Sequence, residues 1–251
     1  MDTLAAYHQL QAQAIFSRAD VEPFVKARRT AYALIEKLIE EGLAVKIRKN
    51  LYTAVDSKTG QLMANPYQIA CSVTDSAYLC RSSALKYHGL VEGSDNQIMI
   101  ASETRFHNFE FNNIQYNYII SLISEGVISS GRHLGVRVTD RERTIVDYIK
   151  DFDKISSLFD LLECLETMEY LDEAKLWTYL SAYDVQFLYQ KVGFLASTRQ
   201  TGLNLSGDFI DSCRGKVRNS IRYLTEKAKK SASHNVEWGL MVPRYLLDHS
   251  R

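Results

Sequence analysis

The spacing of hydrophobic positions predicts two helices at the start of the chain. Leu4, Tyr7, Leu10, Ala14 and Ile15 recur at intervals of three and four, which is typical of a helix over residues 3 to 16. Ser17 is a suitable cap for a second, short helix over residues 18 to 25. Pro23 lies late in that segment and predicts an irregular end.

A third helix has the clearest amphipathic pattern. Its apolar stripe contains Ala31, Leu34, Ile35, Leu38 and, at its edge, Ile39. Arg28 and Arg29 begin the segment and lie off the stripe. Gly42 is expected to end the helix, because glycine adopts the left-handed conformation of a helix C-terminus at low cost.

The segment AVKIRKNLYTAV, residues 44 to 55, predicts a hairpin with Lys49-Asn50 as its turn. This register pairs Arg48 with Leu51, Ile47 with Tyr52, Lys46 with Thr53, and Val45 with Ala54. It therefore predicts an inner face of Val45, Ile47, Tyr52 and Ala54, while Lys46 and Arg48 point outward and Lys49 lies at the tip.

The remaining chain predicts a larger mixed domain. After a polar linker over residues 56 to 64, helices are expected at 65–73 and 81–87, and strands at 97–101, within 106–122 and at 136–140. Residues 141 to 196 are predicted to be mostly helical. Residues 208–230 are predicted to form one basic helix, and residues 236–243 a last strand. The fold class is thus α+β: an N-terminal winged helix-turn-helix (residues 1–58) followed by a larger mixed α/β domain (residues 65–251) with a small sheet and a helical C-terminal half.

Charge is segregated although the 251 residues have a formal net charge of zero. Basic residues dominate 26–49 and 214–230, and acidic residues dominate 151–173. Because the whole molecule would not be steered to a polyanion, nucleic-acid binding would require a local patch. Each of these segments is equally compatible with an ordinary solvated face.

Motifs for catalysis are absent from the sequence. There is no P-loop, GxSxG, GxGxxG after a strand, or HExxH, and the cysteines and histidines lack metal-ligand spacing. Asp151 and Asp153 are expected in a solvated turn, and Arg143 and Asp147 in a local ion pair or inward network. We expect a cytoplasmic protein that is not an enzyme, with no cofactor, no metal and no association with a membrane.

Three helices followed by a hairpin is the element order of a winged helix-turn-helix, in which the third helix reads the major groove. The alternative is a small helical subdomain with a solvent-facing basic hairpin. Under the first interpretation, the candidate DNA-binding residues are Arg28, Arg29, Thr30 and Tyr32 at the start of the third helix and Lys46, Arg48 and Lys49 in the hairpin. The helix residues would meet base edges or adjacent phosphates, and the hairpin residues would meet phosphate.

Several sequence blocks resemble AbiEi-like antitoxins of type IV toxin–antitoxin (abortive infection) systems. These are GLAVKIRKNLYTA at 42–54, NPYQIACSVTDSAYLCRSSALKYHGL at 65–90, VTDRERTIVD at 138–147 and LYQKVGFLAS at 188–197. Asn50 stands where glycine is common in the family's hairpin. The block at 65–90 is the most specific of the four.

The resemblance implies a transcriptional repressor of its own operon that also counteracts a nucleotidyltransferase-like toxin, without requiring a stable complex with it. The implied partners are operator DNA with inverted repeats and the cognate toxin. A second basic surface, comprising Arg214, Lys216, Arg218 and Arg222, would meet more phosphate or another acidic partner. Arg81, Ser82, Ser83 and His88 fall in the specific block, but the sequence assigns them no role.

Two other functions remain open. The chain would also suit a stand-alone DNA-binding regulator whose larger domain senses a ligand or a protein, or an interaction module whose winged helix binds protein. A nucleotidyltransferase-like reading frame next to the gene would favour the antitoxin. Retention of duplex DNA at low salt would separate the first two functions from the third.

Overall fold

The computed structural model describes residues 3–25, 28–93, 96–198, 203 and 205–248. The fold is mixed α+β, as the sequence predicts, and it contains several small sheets. In the part of the chain that is described, no helix is long and apolar enough to cross a membrane.

Three helices and a small antiparallel sheet form the segment 3–55. The elements are α1 (Thr3–Gln13), β1 (Ile15–Phe16), α2 (Arg18–Val21), a 3-10 turn (Glu22–Phe24), α3 (Arg28–Glu40), β2 (Ala44–Arg48) and β3 (Leu51–Ala54). The strand order is β1-β3-β2. The start of β1 was expected to be helical; Ala14, at a φ of 64°, ends α1 before Ile15 is reached.

Helix α3 follows the predicted amphipathic pattern. Ala31, Leu34, Ile35 and Leu38 are buried, whereas Ile39 is 37% exposed. The helix ends as expected at Gly42, whose φ is 71°. The amide of Gly42 donates to the carbonyl of Ile39, and the amide of Leu43 donates to that of Leu38, so two terminal carbonyls are satisfied. One face of α3 is therefore fixed in the core and the other is left to solvent.

The hairpin has the predicted turn but a different register. Arg48 pairs with Leu51, whereas Lys46 pairs with Tyr52 and Val45 with Thr53, because Ile47 forms a bulge between the two sets. A bulge adds one residue to one strand and redirects the side chains beside it. The expected inner face is correct for Ile47, Tyr52 and Ala54, but Ala44 is buried where Val45 was expected.

The segment 56–64, which the sequence predicts to be a polar linker, forms a closed turn. The carboxylate of Asp56 accepts hydrogen bonds from the amides of Lys58 and Thr59, and its carbonyl accepts one from Gly60. Val55 then forms a β-bridge with Leu62. The chain thus leaves β3 and returns to it within a few residues.

A six-stranded sheet follows, with the order β6-β7-β5-β4-β9-β8. Its elements are α4 (Pro66–Cys71), β4 (Tyr78–Leu79), α5 (Arg81–Tyr87), β5 (Gln97–Ala101), β6 (Phe109–Phe111), β7 (Ile114–Ile119), β8 (Val127–Ser129) and β9 (Arg137–Thr139). The pairing is mixed: β5 is parallel to β7 and antiparallel to β4. Helix α4 begins at Pro66 with Asn65 as its cap, as predicted.

The C-terminal part is mostly helical. It contains α6 (Arg141–Ile155), α7 (Leu158–Glu166), α8 (Glu173–Tyr183), α9 (Gln186–Thr198), α10 (Gly207–Arg214), β10 (Arg222–Tyr223), a 3-10 helix (Glu226–Ser231), β11 (Ala232–Asn235), β12 (Leu240–Pro243) and α11 (Tyr245–Asp248). Strands β10, β12 and β11 form a third sheet in that order.

The single basic helix expected over 208–230 is wrong. Helix α10 ends at Arg214, and Gly215 follows it. The basic residues beyond that point lie in a loop, in β10 and in the 3-10 helix, since no apolar stripe continues through them. The last strand is shorter than predicted, because 236–239 form the turn of a hairpin in which Gly239 has a φ of 60°.

The chain forms two compact units, each made of three segments. The first contains Met1–Leu79, Ser94–Ile120 and Ser129–Val138; the second contains Cys80–Gly93, Ser121–Ile128 and Thr139–Arg251. The predicted domain boundary at residues 58–65 does not coincide with this division, since the segment 3–55 belongs to the same unit as most of the large sheet.

Candidate nucleic-acid interface

The predicted reading residues share one exposed surface at the start of α3. Arg28, Arg29, Thr30 and Tyr32 are all exposed. The same side of the helix becomes acidic further along, at Glu36 and Glu40. Because phosphates are repelled by carboxylates, this helix would offer only its first turns to a polyanion.

Arg18, at the start of α2, joins this surface and was missed in the sequence analysis. Its Nη1 donates to the hydroxyl of Tyr32 over 3.3 Å, and its guanidinium lies 5.6 Å from the centre of that ring. Its Nε donates to Oε1 of Glu22 over 2.9 Å. The hydrogen bond from Arg18, with a further one from Arg28, lowers the pKa of the Tyr32 phenol. Two arginines therefore converge on one exposed tyrosine, which the separation of residues 18 and 32 in sequence conceals.

Asn50 connects the hairpin turn to this surface by a hydrogen bond. Its φ of 59° is the left-handed conformation that the turn requires. Its side-chain oxygen also accepts a hydrogen bond from the backbone amide of Arg18 over 3.1 Å. A glycine at this position would supply the first property only. Lys46 and Lys49 are exposed, as expected, and Lys49 lies beside Asn50 in the turn.

Arg48 does not share the outward face with Lys46, so its expected placement is wrong. Its guanidinium lies 5.7 Å from the ring centre of Phe106 and 5.0 Å from that of Phe109. Burial lowers the pKa of this group, and its Nη1 is buried without a hydrogen-bond partner in the described part of the chain. The bulge at Ile47 explains the change, because it turns Arg48 away from the face that alternation assigns to it.

The second basic surface is more neutral than its sequence suggests. Arg214 is ion-paired with both Asp211 and Glu237, and its guanidinium lies 5.5 Å from the ring centre of Trp238. Lys216 is 3.9 Å from a carboxylate oxygen of Asp184. Arg218 and Arg222 are exposed. Half of the predicted cluster therefore has carboxylate partners.

Arg143 is the centre of a buried network in the second unit, which agrees with the inward alternative for this residue. Its side chain is 2% exposed, and its Nε donates to Oδ1 of Asp147 over 3.0 Å. The remaining donors reach the carbonyls of Ile123 and Glu125 and the hydroxyls of Ser121 and Tyr183. This arrangement holds the 121–126 loop against α6, and it leaves no side-chain nitrogen of Arg143 for a ligand.

Asp151 is buried, although the sequence predicts it in a solvated turn. Burial by itself would raise the pKa of its carboxyl, but hydrogen bonds from Lys150 and Lys154 outweigh this and lower the pKa. Arg81 is a further ion-pair partner at 3.4 Å. The carboxylate of Asp153 accepts from the hydroxyl of Thr225. In the described residues, no group of three or more histidine, cysteine or acidic side chains could hold a metal.

Helix α6 is kinked at Asp151, where φ is −118° and ψ is 15°. The ammonium group of Lys191 donates to the carbonyls of Ile149 and Lys150 at this kink, and it lies against the rings of Phe152 and Phe187. Burial lowers the pKa of Lys191 to about 8. Nearby, Gly193 leaves room for Trp238, since a Cβ there would lie 2.1 Å from its ring. Two residues of the block at 188–197 thus have structural roles.

The polar residues of the block at 65–90 fall into two groups. Arg81 pairs with Asp151, Ser83 is buried, and a ring nitrogen of His88 lies 2.7 Å from the carbonyl oxygen of Thr139. Ser82 instead lines a cavity of the second unit. The ring of His88 thus bonds the end of β9.

Comparison with known proteins shows a likeness in fold. No family model matches the chain, and no curated protein matches it in sequence. The crystal structure of the RV2827C protein from Mycobacterium tuberculosis is similar, with a TM-score of 0.61 and 14% sequence identity over 96% of this chain and 92% of that one. At this identity the similarity shows the fold alone.

Proposed function

We propose that the chain is a DNA-binding transcriptional repressor and the antitoxin of a type IV toxin–antitoxin system. In this proposal, residues 3–55 form a winged helix-turn-helix in which α3 is the reading helix and the β2–β3 hairpin is the wing. The observation that carries the DNA-binding part is the surface shared by Arg18, Arg28 and Tyr32 next to the anchored hairpin turn.

The geometry supports different tasks for the helix and the hairpin. Arg28, Arg29 and Thr30 are exposed on the first turn of α3, where a helix in the major groove meets base edges. Lys46 and Lys49 are exposed on the hairpin and would contact phosphate. Arg48 is left out of the proposed interface, because its guanidinium packs on Phe106 and Phe109.

A salt titration of full-length protein on duplex DNA from upstream of its own gene tests the hairpin. Each phosphate contact contributes about 0.9 to the slope of log affinity against log salt concentration. We expect Lys46→Ala and Lys49→Ala each to reduce the slope by about that amount on any sequence. The matched control is Lys58→Ala, another exposed lysine outside the proposed interface. Unchanged slopes in both hairpin variants would remove the hairpin from the interface.

Competition between specific and unrelated duplexes tests the helix. A bidentate contact between arginine and guanine contributes roughly 1–3 kcal/mol of discrimination. We therefore expect Arg28→Ala or Arg29→Ala to lose preference for the upstream sequence while retaining most nonspecific affinity. Equal loss of specific and nonspecific binding in both variants would make them phosphate anchors and place base reading elsewhere.

The antitoxin part of the proposal is supported by the resemblance of the blocks at 42–54, 65–90, 138–147 and 188–197 to AbiEi-like antitoxins. Its test starts from the neighbouring gene, where the proposal requires a nucleotidyltransferase-like reading frame. Growth rescue is then measured in cells that express the product of that frame, with a promoter reporter in the same cells. The full-length Arg28→Ala/Arg29→Ala variant should rescue growth but fail to repress the reporter. Absence of rescue by the unaltered chain would reject the antitoxin function and leave that of a stand-alone regulator.

A further inference from the structure

The second unit contains a cavity of about 640 Å³ that none of the proposed DNA contacts uses. One wall is α5 and the loop that follows it, and the other is the end of α6 and helix α7. Gly89, with a φ of 70°, turns the chain at the end of α5 so that residues 90–92 form part of the wall. Cavities of this size are typical of sites for small organic molecules.

The base of the cavity is formed by buried, mostly apolar side chains. Leu85, Tyr148 and Cys164 line it and are themselves buried in the core of the second unit. The hydroxyls of Tyr148 and Ser156, which also line the cavity, share a hydrogen bond of 2.6 Å. An apolar body would therefore meet a buried base of apolar side chains, with the hydroxyls of Ser82, Tyr148, Ser156 and Thr167 as polar groups in the lining.

The cavity has more carboxylates than basic groups around it. Glu92, Asp160 and Glu163 line it. Among the described residues, the basic groups at the cavity are Lys86, which also lines it, and Lys227, whose ammonium donates to the carbonyl of Ser156. Asp160 is engaged as part of the cap of α7, where it accepts from the amide and hydroxyl of Ser157. Glu92 and Glu163 are exposed, and neither has an ion-pair partner among the described residues. Two carboxylates on the rim are thus available to a cation.

We propose that this cavity binds a small organic cation, namely an amine with an apolar body. The apolar part would pack on Leu85 and Tyr148, and the ammonium group would pair with Glu92 or Glu163. Desolvation of such a pair beside an apolar wall strengthens its attraction relative to bulk water. The proposal goes beyond DNA binding and does not depend on it.

Fluorescence titration of the full-length protein tests the proposal with two matched probes. Dansylcadaverine carries an ammonium group, and N-dansyl-6-aminohexanoate carries a carboxylate on a similar chain. We expect saturable enhancement with dansylcadaverine and at least tenfold weaker binding of the carboxylate probe. The double variant Glu92→Gln/Glu163→Gln should weaken dansylcadaverine at least fivefold, and Ser82→Trp, which fills the cavity, should abolish its binding.

The control is Glu166→Gln/Glu169→Gln, which removes the same charge from nearby residues that do not line the cavity. It should leave the affinity for dansylcadaverine within twofold. Equal binding of the two probes, an equal loss in this control, or no saturable signal would each overturn the proposal. Near-ultraviolet circular dichroism of every variant would show that the second unit keeps its packing, and the glutamine variants test the proposal even if Ser82→Trp does not fold.

Discussion

Two arginines in this molecule have nearly the same partners but lie in opposite environments. Arg18 bonds a carboxylate four residues ahead, Glu22, and a tyrosine hydroxyl, Tyr32, with the ring centre 5.6 Å away. Arg143 likewise bonds Asp147 and Tyr183, with the ring centre 5.4 Å away. The side chain of Arg18 is 20% exposed and that of Glu22 43%, whereas those of Arg143 and Asp147 are 2% and 8% exposed.

The difference in exposure decides what each arrangement can do. Arg143 is enclosed by backbone carbonyls and hydroxyls, so its charge serves only the fold. Arg18 lies at the surface next to Arg28 and the hairpin turn, where its charge can act on a partner. The same set of residue types is therefore a structural element in one unit and a candidate recognition element in the other. Sequence spacing cannot distinguish the two, because both acidic partners lie at i+4.

The largest expected contrast is in stability. Arg143→Met removes one partner of a buried pair and leaves Asp147 with Tyr183 alone, so it should destabilise the protein by about 3–5 kcal/mol. The matched variant Arg18→Met should leave the denaturation midpoint close to that of the unaltered chain, because a solvent-exposed pair contributes little. Urea denaturation followed by circular dichroism measures both. Similar losses in the two variants would refute the contrast.

A buried cation without a contacting carboxylate sharpens the comparison. In the described part of the chain, the ammonium of Lys191 bonds two carbonyls and no carboxylate, and burial lowers its pKa to about 8 from the ordinary 10.5. Between these values the unfolded chain binds more protons than the folded one, so stability should rise with pH, by at most about 1.4 kcal/mol per pH unit. Below about pH 8 both states are protonated and this contribution is flat.

The measurement is the difference in unfolding free energy between the unaltered chain and Lys191→Met from pH 7 to pH 10. The unfolding free energy of the unaltered chain should rise toward high pH, and that of Lys191→Met should not show this rise. Identical pH profiles would show that Lys191 does not titrate in this range. Arg143→Met should not remove the rise, because an arginine stays protonated throughout it.

The hairpin turn offers a smaller test of the exposed surface. Asn50→Gly keeps a residue that tolerates positive φ but removes the acceptor for the amide of Arg18, whereas Asn50→Ala loses both. We expect the alanine variant to be destabilised by about 1–2 kcal/mol and the glycine variant by less. Both variants should bind DNA more weakly, because the turn has lost its hydrogen bond to the amide of Arg18 in α2. Unchanged DNA affinity in Asn50→Gly would show that this hydrogen bond does not contribute to binding.

The smallest effect is expected for Glu22→Gln. The change removes the carboxylate that neutralises Arg18, with little consequence for stability because the pair is exposed. Affinity for duplex DNA should increase slightly at low salt, since the local charge becomes more positive. The corresponding variant Asp147→Asn should leave DNA affinity unchanged and lower stability. A gain in affinity from both variants would point to a general charge effect instead of a local one.

The sequence predicted elements well where periodicity and caps agree. Helix α3, with its stripe at Ala31, Leu34, Ile35 and Leu38 and its end at Gly42, is confirmed, as are Asn65 as a cap and the strand at 97–101. These features depend on residues that are close in sequence. The winged-helix interpretation built on them stays a proposal.

The errors arise where distant residues decide the outcome. Alternation placed Arg48 outward, but a bulge turns it toward rings that lie some sixty residues later. The contact between Arg18 and Tyr32 joins two helices whose packing the sequence does not give. The basic helix predicted over 208–230 is present only as far as Arg214, because no apolar stripe continues through the basic residues beyond it.

The alternation of segments between the two units has a consequence for the order of synthesis. The first unit needs residues as far as Val138, and the second needs a segment that begins at Cys80. A nascent chain ending before residue 138 therefore lacks strand β9, which pairs with β4 in the large sheet. Folding on the ribosome would have to hold the first unit incomplete until Val138 is synthesised, which lengthens the period in which β4 has an unpaired edge.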